Sequence, residues 1–146
     1  MRIMIISGYF NPLHTGHLDY IDDAKATGNY LVAIVNNDQQ VKLKGSTDFL
    51  SESARMRIVA SLRNVDKAIL SIDSDKTVVE TLRSQYERYS LDPFVDSITF
   101  CNGGDRTKGN SPEEEYCQRV GMKTLYNVGG SKTQSSSKLL DSVGEK

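Results

Sequence analysis

The chain has 146 residues, a formal net charge of -1, and 38% apolar and 25% charged residues. This length predicts a single domain, residues 1–146, with a core of its own. The balanced charge argues against a broad electrostatic surface for nucleic acid or an anionic membrane. No run approaches the roughly 18 consecutive apolar residues that a membrane span requires, and the amino terminus lacks the features of a signal peptide. We therefore expect a cytoplasmic domain that binds neither nucleic acid nor membrane, with Cys101 and Cys117 as reduced thiols.

The first third of the chain predicts two buried strands with a helix between them. Residues 2–7 and 30–35 are continuous apolar runs, which are typical of parallel strands buried on both faces. Apolar residues at helical spacing follow Thr15, the expected N-cap, and end before Gly28. Residues 36–50 are expected to form a polar loop.

The rest of the chain continues this alternation. Strands are predicted over residues 67–72, 94–101 and 123–128, and Ser51 and Ser111 are typical N-caps of intervening helices. The first of these helices is expected to bury four residues, Ala54, Ile58, Val59 and Leu62. A further helix is predicted from Val78, Val79, Leu82, Tyr86 and Tyr89, and the tail after about residue 141 is expected to fray.

Alternating strands and helices predict a Rossmann-like α/β fold. We expect a five-stranded, mostly parallel sheet with helices on both faces, connected by right-handed crossovers. In such sheets the ligand binds beyond the carboxyl ends of the strands. Candidate functional residues are therefore those in the loops that leave this edge.

Both histidines of the chain, His14 and His17, lie where the first loop becomes the first helix. The free backbone N–H groups of a helix N-terminus attract an anion, and Gly16 lets a phosphate approach closely. Two imidazoles there can donate hydrogen bonds to phosphate oxygens and stabilise charge during attack on an α-phosphate. Two alternatives are a pair of ordinary capping or surface histidines, and a metal site completed by a third ligand from elsewhere.

The segment around the histidines resembles a known motif: Gly8-Tyr9-Phe10-Asn11-Pro12-Leu13-His14-Thr15-Gly16-His17. It is similar to the GxFDxxHxGH motif of the HxGH nucleotidyltransferase superfamily, which includes cytidylyltransferases for glycerol 3-phosphate and adenylyltransferases for heptose 1-phosphate. Asn11 stands where many members have Asp. The resemblance implies catalytic roles for His14 and His17, and nucleotide contacts from the rest of the motif, that is Gly8, Tyr9, Phe10, Asn11 and Gly16.

Two later segments extend the resemblance. Asn102-Gly103-Gly104-Asp105 is similar to the Lys-Gly-Gly-Asp segment of the heptose enzymes, and it implies nucleotide contacts from Gly103, Gly104 and Asp105. Ser135-Ser136-Ser137 resembles a serine and threonine run that caps a helix against the triphosphate. The alternatives are a simple turn for the first segment and a plain N-cap for the second.

Basic residues complete the predicted site. Lys42 and Lys44 are similar in position to the superfamily's lysine loop, and Lys44 matches its catalytic lysine better. Such a lysine can bridge the acceptor phosphate and the α-phosphate, whereas the alternative is a solvated basic loop. Arg55 is expected to be either a phosphate ligand or a helix salt-bridge partner, and Arg106 is expected to meet the acceptor phosphate.

These resemblances imply an enzyme that transfers a nucleoside monophosphate from an NTP to a phosphorylated sugar or polyol and releases pyrophosphate. Mg²⁺ is expected to accompany the NTP, and no separate protein metal site is predicted. The heptose-like segments and the lack of an Arg-Thr segment near Lys132 favour ATP over CTP. A homodimer is compatible with the sequence. The alternatives are a cytidylyltransferase of the glycerol-3-phosphate type, a non-catalytic nucleotide-binding protein, and an adenylyltransferase for a larger precursor such as flavin or pantetheine phosphate.

Overall fold

A computed structural model of the chain describes residues 1–47, 49–103 and 111–130. Five strands form one sheet: β1 (Arg2–Gly8), β2 (Tyr30–Val35), β3 (Lys67–Leu70), β4 (Ser97–Gly103) and β5 (Lys123–Val128). Their order is β3-β2-β1-β4-β5 and every described pair is parallel. The predicted Rossmann-like α/β fold is therefore confirmed.

Within these ranges, five helices join the strands: α1 (Thr15–Ala26), α2 (Asp38–Lys44), α3 (Glu52–Ala60), α4 (Val79–Ser90) and α5 (Pro112–Val120). Side chains alternate between the two faces of each strand, so the sheet separates two apolar clusters. In β1, Ile3 and Ile5 pack in the cluster that contains side chains of α4 and α5. Met4 and Ile6 pack in the cluster that contains side chains of α1 and α3.

The strand order reverses at β1, because the chain first adds β2 and β3 on one side and then crosses to β4 and β5 on the other. Ligands of open α/β sheets bind outside the carboxyl ends of the strands at such a reversal. The crevice between the ends of β1 and β4 is therefore the expected binding site. His14 ends the loop that follows β1, and His17 lies in the first turn of α1.

The largest departure from the sequence prediction is α2, which lies in the segment expected to be a polar loop. Asn37 caps this helix: its side chain accepts from the backbone N–H of Gln40, and the Gln40 side chain accepts from the backbone N–H of Asn37. Gly45 ends it in the left-handed conformation, with φ of 78°. The two caps explain how a polar seven-residue segment forms a helix.

Three smaller predictions were also wrong. The N-cap of α1 is His14 rather than Thr15. In α3 the predicted N-cap Ser51 is confirmed, but Ile58 is 38% exposed and Arg55 occupies the buried face. β4 begins at Ser97, because Phe94 belongs to the preceding loop and is 78% exposed.

Both cysteines are free and buried, in agreement with the predicted reduced thiols. Burial raises the pKa of Cys101 to about 12. Burial also raises the pKa of Cys117 to about 12, with a further contribution from the charges of Glu113 and Glu114. No helix within the described residues is long and apolar enough to cross a membrane.

Candidate active site

The two histidines form the N-terminal cap of α1. The backbone N–H of Gly16 donates to Nδ1 of His14 at 3.1 Å, and the backbone N–H of His14 donates to Nδ1 of His17 at 3.1 Å. Together these bonds make a reciprocal capping box, in which imidazoles occupy positions usually held by Ser or Thr and by Glu or Gln. The capping alternative was thus correct in part, because these histidines do cap the helix.

The cap also fixes the protonation pattern of both rings. A ring nitrogen that accepts a hydrogen bond carries no proton, so each neutral imidazole has its proton on Nε2. The rings stack with their centroids 3.8 Å apart and their planes 24° apart. Two Nε2–H donors are therefore held side by side at the positive end of a helix, which is an arrangement suited to phosphate oxygens.

Phe10 supports this pair from the α1 side of the sheet. Its ring is buried and meets the ring of His17 edge-on, with centroids 4.9 Å apart. Gly8 makes room for it, since a Cβ at Gly8 would lie 2.9 Å from Cζ of Phe10. Gly8 and Phe10, predicted to contact the nucleotide, thus have a packing role that keeps His17 in place.

Asn11 holds the loop that leads into α3. Its side-chain nitrogen donates to the carbonyl of Thr47 at 2.8 Å, and its side-chain oxygen accepts from the backbone N–H of Leu50 at 2.9 Å. The residue is 2% exposed. The amide that was predicted to contact the nucleotide is used here to fix the loop beside the histidines.

Arg55 is completely buried and joins three loops. Its guanidinium donates to the carbonyls of Tyr9, Asn36 and Leu50. It also forms an ion pair with Asp38, at 2.9 Å between Nη2 and Oδ1. Of the two roles left open for Arg55, the structure therefore supports the ion pair, and the phosphate-ligand role does not fit a guanidinium enclosed by protein groups.

Lys44, the last residue of α2, places its ammonium group against the ring of Tyr9. Nζ lies 4.4 Å from the ring centroid, within the range of a cation–π contact. Tyr9 lies between the histidine loop and α2, and burial, followed by the charge of Glu113, raises its pKa. The structure thus brings Lys44 to the histidine motif through Tyr9. Lys42 and Lys44 are both exposed on this helix.

The glycine that ends β4 is packed closely on α1. A Cβ at Gly103 would lie 2.9 Å from Cδ1 of Tyr20, whose hydroxyl donates to the carbonyl of Cys101. Six other residues predicted at the site, Gly104, Asp105, Arg106, Ser135, Ser136 and Ser137, lie outside the described residues, and their roles remain predictions. Within the described part of the chain, no group of three or more His, Cys, Asp or Glu could hold a metal ion.

Sequence reasoning did not single out Asn102 or Glu113. Asn102 lies in β4 beside the crevice and is 4% exposed, and Glu113 lies in the first turn of α5 and is 8% exposed. The signal for Asn102 was its place at the start of the Asn102-Gly103-Gly104-Asp105 segment, at the end of a buried strand.

The parallel sheet, its reversal at β1 and the capped histidine pair define an α/β domain built to bind nucleotides. The chain belongs to the cytidylyltransferase-like family, whose model matches residues 5–116. The resemblance to the HxGH nucleotidyltransferases is thereby confirmed, and with it the predicted enzyme class at the level of the family.

The chain is similar to the FAD synthase of Picrophilus torridus, with 33% identity over 126 residues that cover 85% of this chain and 80% of that enzyme. It is also similar to the bifunctional protein HldE of Geobacter metallireducens, with 32% identity over 151 residues. This match covers 99% of this chain and 28% of that protein. Matches to four FAD synthases span from 49% to 80% of those enzymes' own lengths.

Among solved structures, the lipopolysaccharide core biosynthesis protein of Thermoplasma volcanium is similar, with a TM-score of 0.67 at 22% identity. The similarity covers 90% of this chain and 98% of that one. At this identity the comparison supports the fold alone.

Proposed function

We propose that the protein transfers a nucleoside monophosphate from a nucleoside triphosphate to a phosphorylated small molecule and releases pyrophosphate. The capped histidine pair carries this proposal, because the cap uses Nδ1 of both rings and leaves Nε2–H of each ring as its hydrogen-bond donor. Donors fixed before the reaction can stabilise charge that develops on phosphate oxygens without reorganising.

In the proposed reaction, an oxygen of the acceptor's phosphate attacks the α-phosphorus of the triphosphate. A new bond forms from that oxygen to the α-phosphorus, the bond from the α-phosphorus to the bridging oxygen breaks, and pyrophosphate leaves with Mg²⁺. His14 and His17 steady the α- and β-phosphate oxygens. Lys44 offsets the repulsion between the two anions as they approach. The two imidazoles are nitrogen ligands, whereas Mg²⁺ prefers oxygen ligands, so Mg²⁺ is expected to enter with the triphosphate.

ATP is the favoured donor over CTP. An FAD synthase forms a product that contains an adenylyl group, and the chain is 33% identical to one over 85% of its length. The heptose-like segments of the sequence point to the same donor. The acceptor class that the sequence resemblance implies is a sugar or polyol phosphate.

A flavin phosphate is a second acceptor class. The FAD synthase relatives favour it, and so does an apolar group beside the site. Phe49 is 51% exposed. It lies between Thr47 and Leu50, the two loop residues whose backbone groups are hydrogen-bonded to the Asn11 side chain. An exposed aromatic ring held next to the site is suited to stack on a flat ring system.

The proposal is tested by measuring pyrophosphate release from ATP, CTP, GTP and UTP with Mg²⁺ and a set of acceptors. The set contains glycerol 3-phosphate, sugar 1-phosphates, FMN and dephosphorylated counterparts. A His17→Gln protein purified in the same way controls for contaminating enzymes. We expect release that requires ATP and a phosphorylated acceptor and that the control lacks. Tight nucleotide binding with no release for any acceptor would contradict the proposal and favour a non-catalytic nucleotide-binding protein.

A further inference from the structure

The side-chain amide of Asn102 is buried at the edge of the candidate site. Its nitrogen is inaccessible to solvent, and no group among residues 1–47, 49–103 and 111–130 accepts a hydrogen bond from it. A buried donor without an acceptor costs free energy, so such groups are rare in folded proteins. An unpaired donor in a binding crevice indicates a partner that arrives with the ligand.

Asn102 lies where the fold places a ligand. It is in the strand next to β1, close to the reversal of the strand order. The residues on either side of Asn102 face α1. Cys101 packs in the apolar cluster that contains side chains of α1 and α3, and Gly103 lies against Tyr20 of α1. Since successive side chains alternate, Asn102 points to the opposite face, which α4 and α5 cover.

The α5 side of the crevice is not suited to phosphates. The carboxylate of Glu113 is near enough to Tyr9 to raise its pKa, and a carboxylate repels an anion. The side chain of Asn102 is a neutral amide, which is suited to uncharged acceptors, such as ring nitrogens, carbonyls and hydroxyls. The phosphate-binding features, the two imidazoles and the helix N-terminus, belong to α1.

We propose that Asn102 is a specificity-determining residue that donates a hydrogen bond to an uncharged atom in the nucleoside part of the triphosphate. This inference rests on the proposed function and deepens it, because it separates the group that contacts the nucleoside from the groups that contact the phosphates.

The test compares two ligands and two variants. The ligands are a non-hydrolysable ATP analogue and inorganic tripolyphosphate, each with Mg²⁺, and binding is measured by calorimetry. Asn102→Leu replaces the amide with an apolar group of similar size, and Asn102→Ala removes the donor without adding a charge. We expect both variants to weaken binding of the ATP analogue about tenfold, as for a lost hydrogen bond to a buried group. Binding of tripolyphosphate should stay within about twofold.

The melting temperature distinguishes a ligand-binding role for Asn102 from a purely structural role. Because the free protein buries an unpaired donor, Asn102→Leu should unfold at the same temperature or about 2–4 °C higher. A residue that held the fold together would instead lower the melting temperature when replaced. The smaller side chain of Asn102→Ala keeps the binding test valid even if the leucine variant does not fold.

Three results would overturn the inference. They are unchanged binding of the ATP analogue in both variants, equal loss for the analogue and tripolyphosphate, and wild-type binding of the analogue no tighter than tripolyphosphate. Failure of the wild-type protein to bind either ligand would overturn the proposed function itself, and this outcome is distinct from the other three.

Discussion

The imidazole rings of His14 and His17 stack 3.8 Å apart, and the backbone N–H of the first residue donates to Nδ1 of the second. This bond is part of the cap that begins α1, and it also orients the imidazole rings of the candidate catalytic pair. Helix capping and the proposed catalysis therefore depend on the same two rings, through different ring nitrogens, and a suitable pair of substitutions can separate them.

Replacing His17 in two ways tests this shared role. Glutamine at this position retains an acceptor for the cap, as in common capping boxes, whereas alanine does not. We expect His17→Ala and His17→Gln both to lower kcat/KM by on the order of 10² to 10³, as for loss of one oxyanion-type donor. Only His17→Ala should lose stability, by about 1 kcal/mol.

The measurements are steady-state kinetics and chemical denaturation of both variants. Full activity in the glutamine variant would contradict a catalytic role for the imidazole.

Arg55 should be essential for folding rather than for acceptor binding. Arg55→Met removes the ion pair with Asp38 and leaves three carbonyls without their donor. Breaking a buried charged network of this kind costs about 3–5 kcal/mol. The matched control is Arg57→Met, an exposed residue of the same helix, which should change stability by no more than about 0.5 kcal/mol. A stable Arg55→Met protein with a raised KM for the acceptor would instead support the phosphate-ligand role.

The parts of the fold that sequence predicted well are those set by local pattern. The apolar runs of β1 and β2 and the capping serines of α3 and α5 needed no information from distant residues. The capping box of α2, Asn37 with Gln40, was also present in the sequence. It was missed because only Val41 and Leu43 are apolar in that helix, so no periodic pattern called attention to it.

The missed features depend on tertiary contacts. Arginine is almost never fully buried unless it is paired. Arg55 is buried because its partners, Tyr9, Asn36 and Leu50, come from loops that are far apart in sequence. The sequence also could not decide between His14 and Thr15 as the N-cap. An imidazole Nδ1 can accept the same hydrogen bond as a hydroxyl, so either residue could cap the helix.

Lys44 should contribute to catalysis more than Lys42. Lys44→Met removes the ammonium group that lies 4.4 Å from the Tyr9 ring, and it should lower kcat/KM by on the order of tenfold or more. Lys42→Met, on the same helix, is the matched control and should have a smaller effect. Both residues are exposed, so the melting temperatures should stay close to that of the wild type. Equal losses in both variants would favour a diffuse basic surface.

The buried thiols should make stability fall in alkali. Burial raises the pKa of Cys101 in the folded state from its ordinary value of 9.0 to about 12. The thiol's contribution to the unfolding free energy is therefore complete below about pH 9 and is lost as pH rises towards the folded-state pKa. Unfolding free energies measured between about pH 8 and pH 10 should decrease, and less steeply in Cys101→Ala. Rapid labelling of Cys101 or Cys117 in the native protein near pH 8 would contradict their burial.

The most direct test of the central claim is ¹⁵N NMR of the imidazole rings, because His14 and His17 are the only histidines in the chain. Because Nδ1 of each ring accepts a hydrogen bond, we expect the neutral form of each ring to carry its proton on Nε2. Both Nε2–H signals should shift when a non-hydrolysable ATP analogue and Mg²⁺ are added to saturation. Rings that carry the proton on Nδ1, or Nε2–H signals that do not move at saturation, would contradict the proposal that this pair binds the triphosphate.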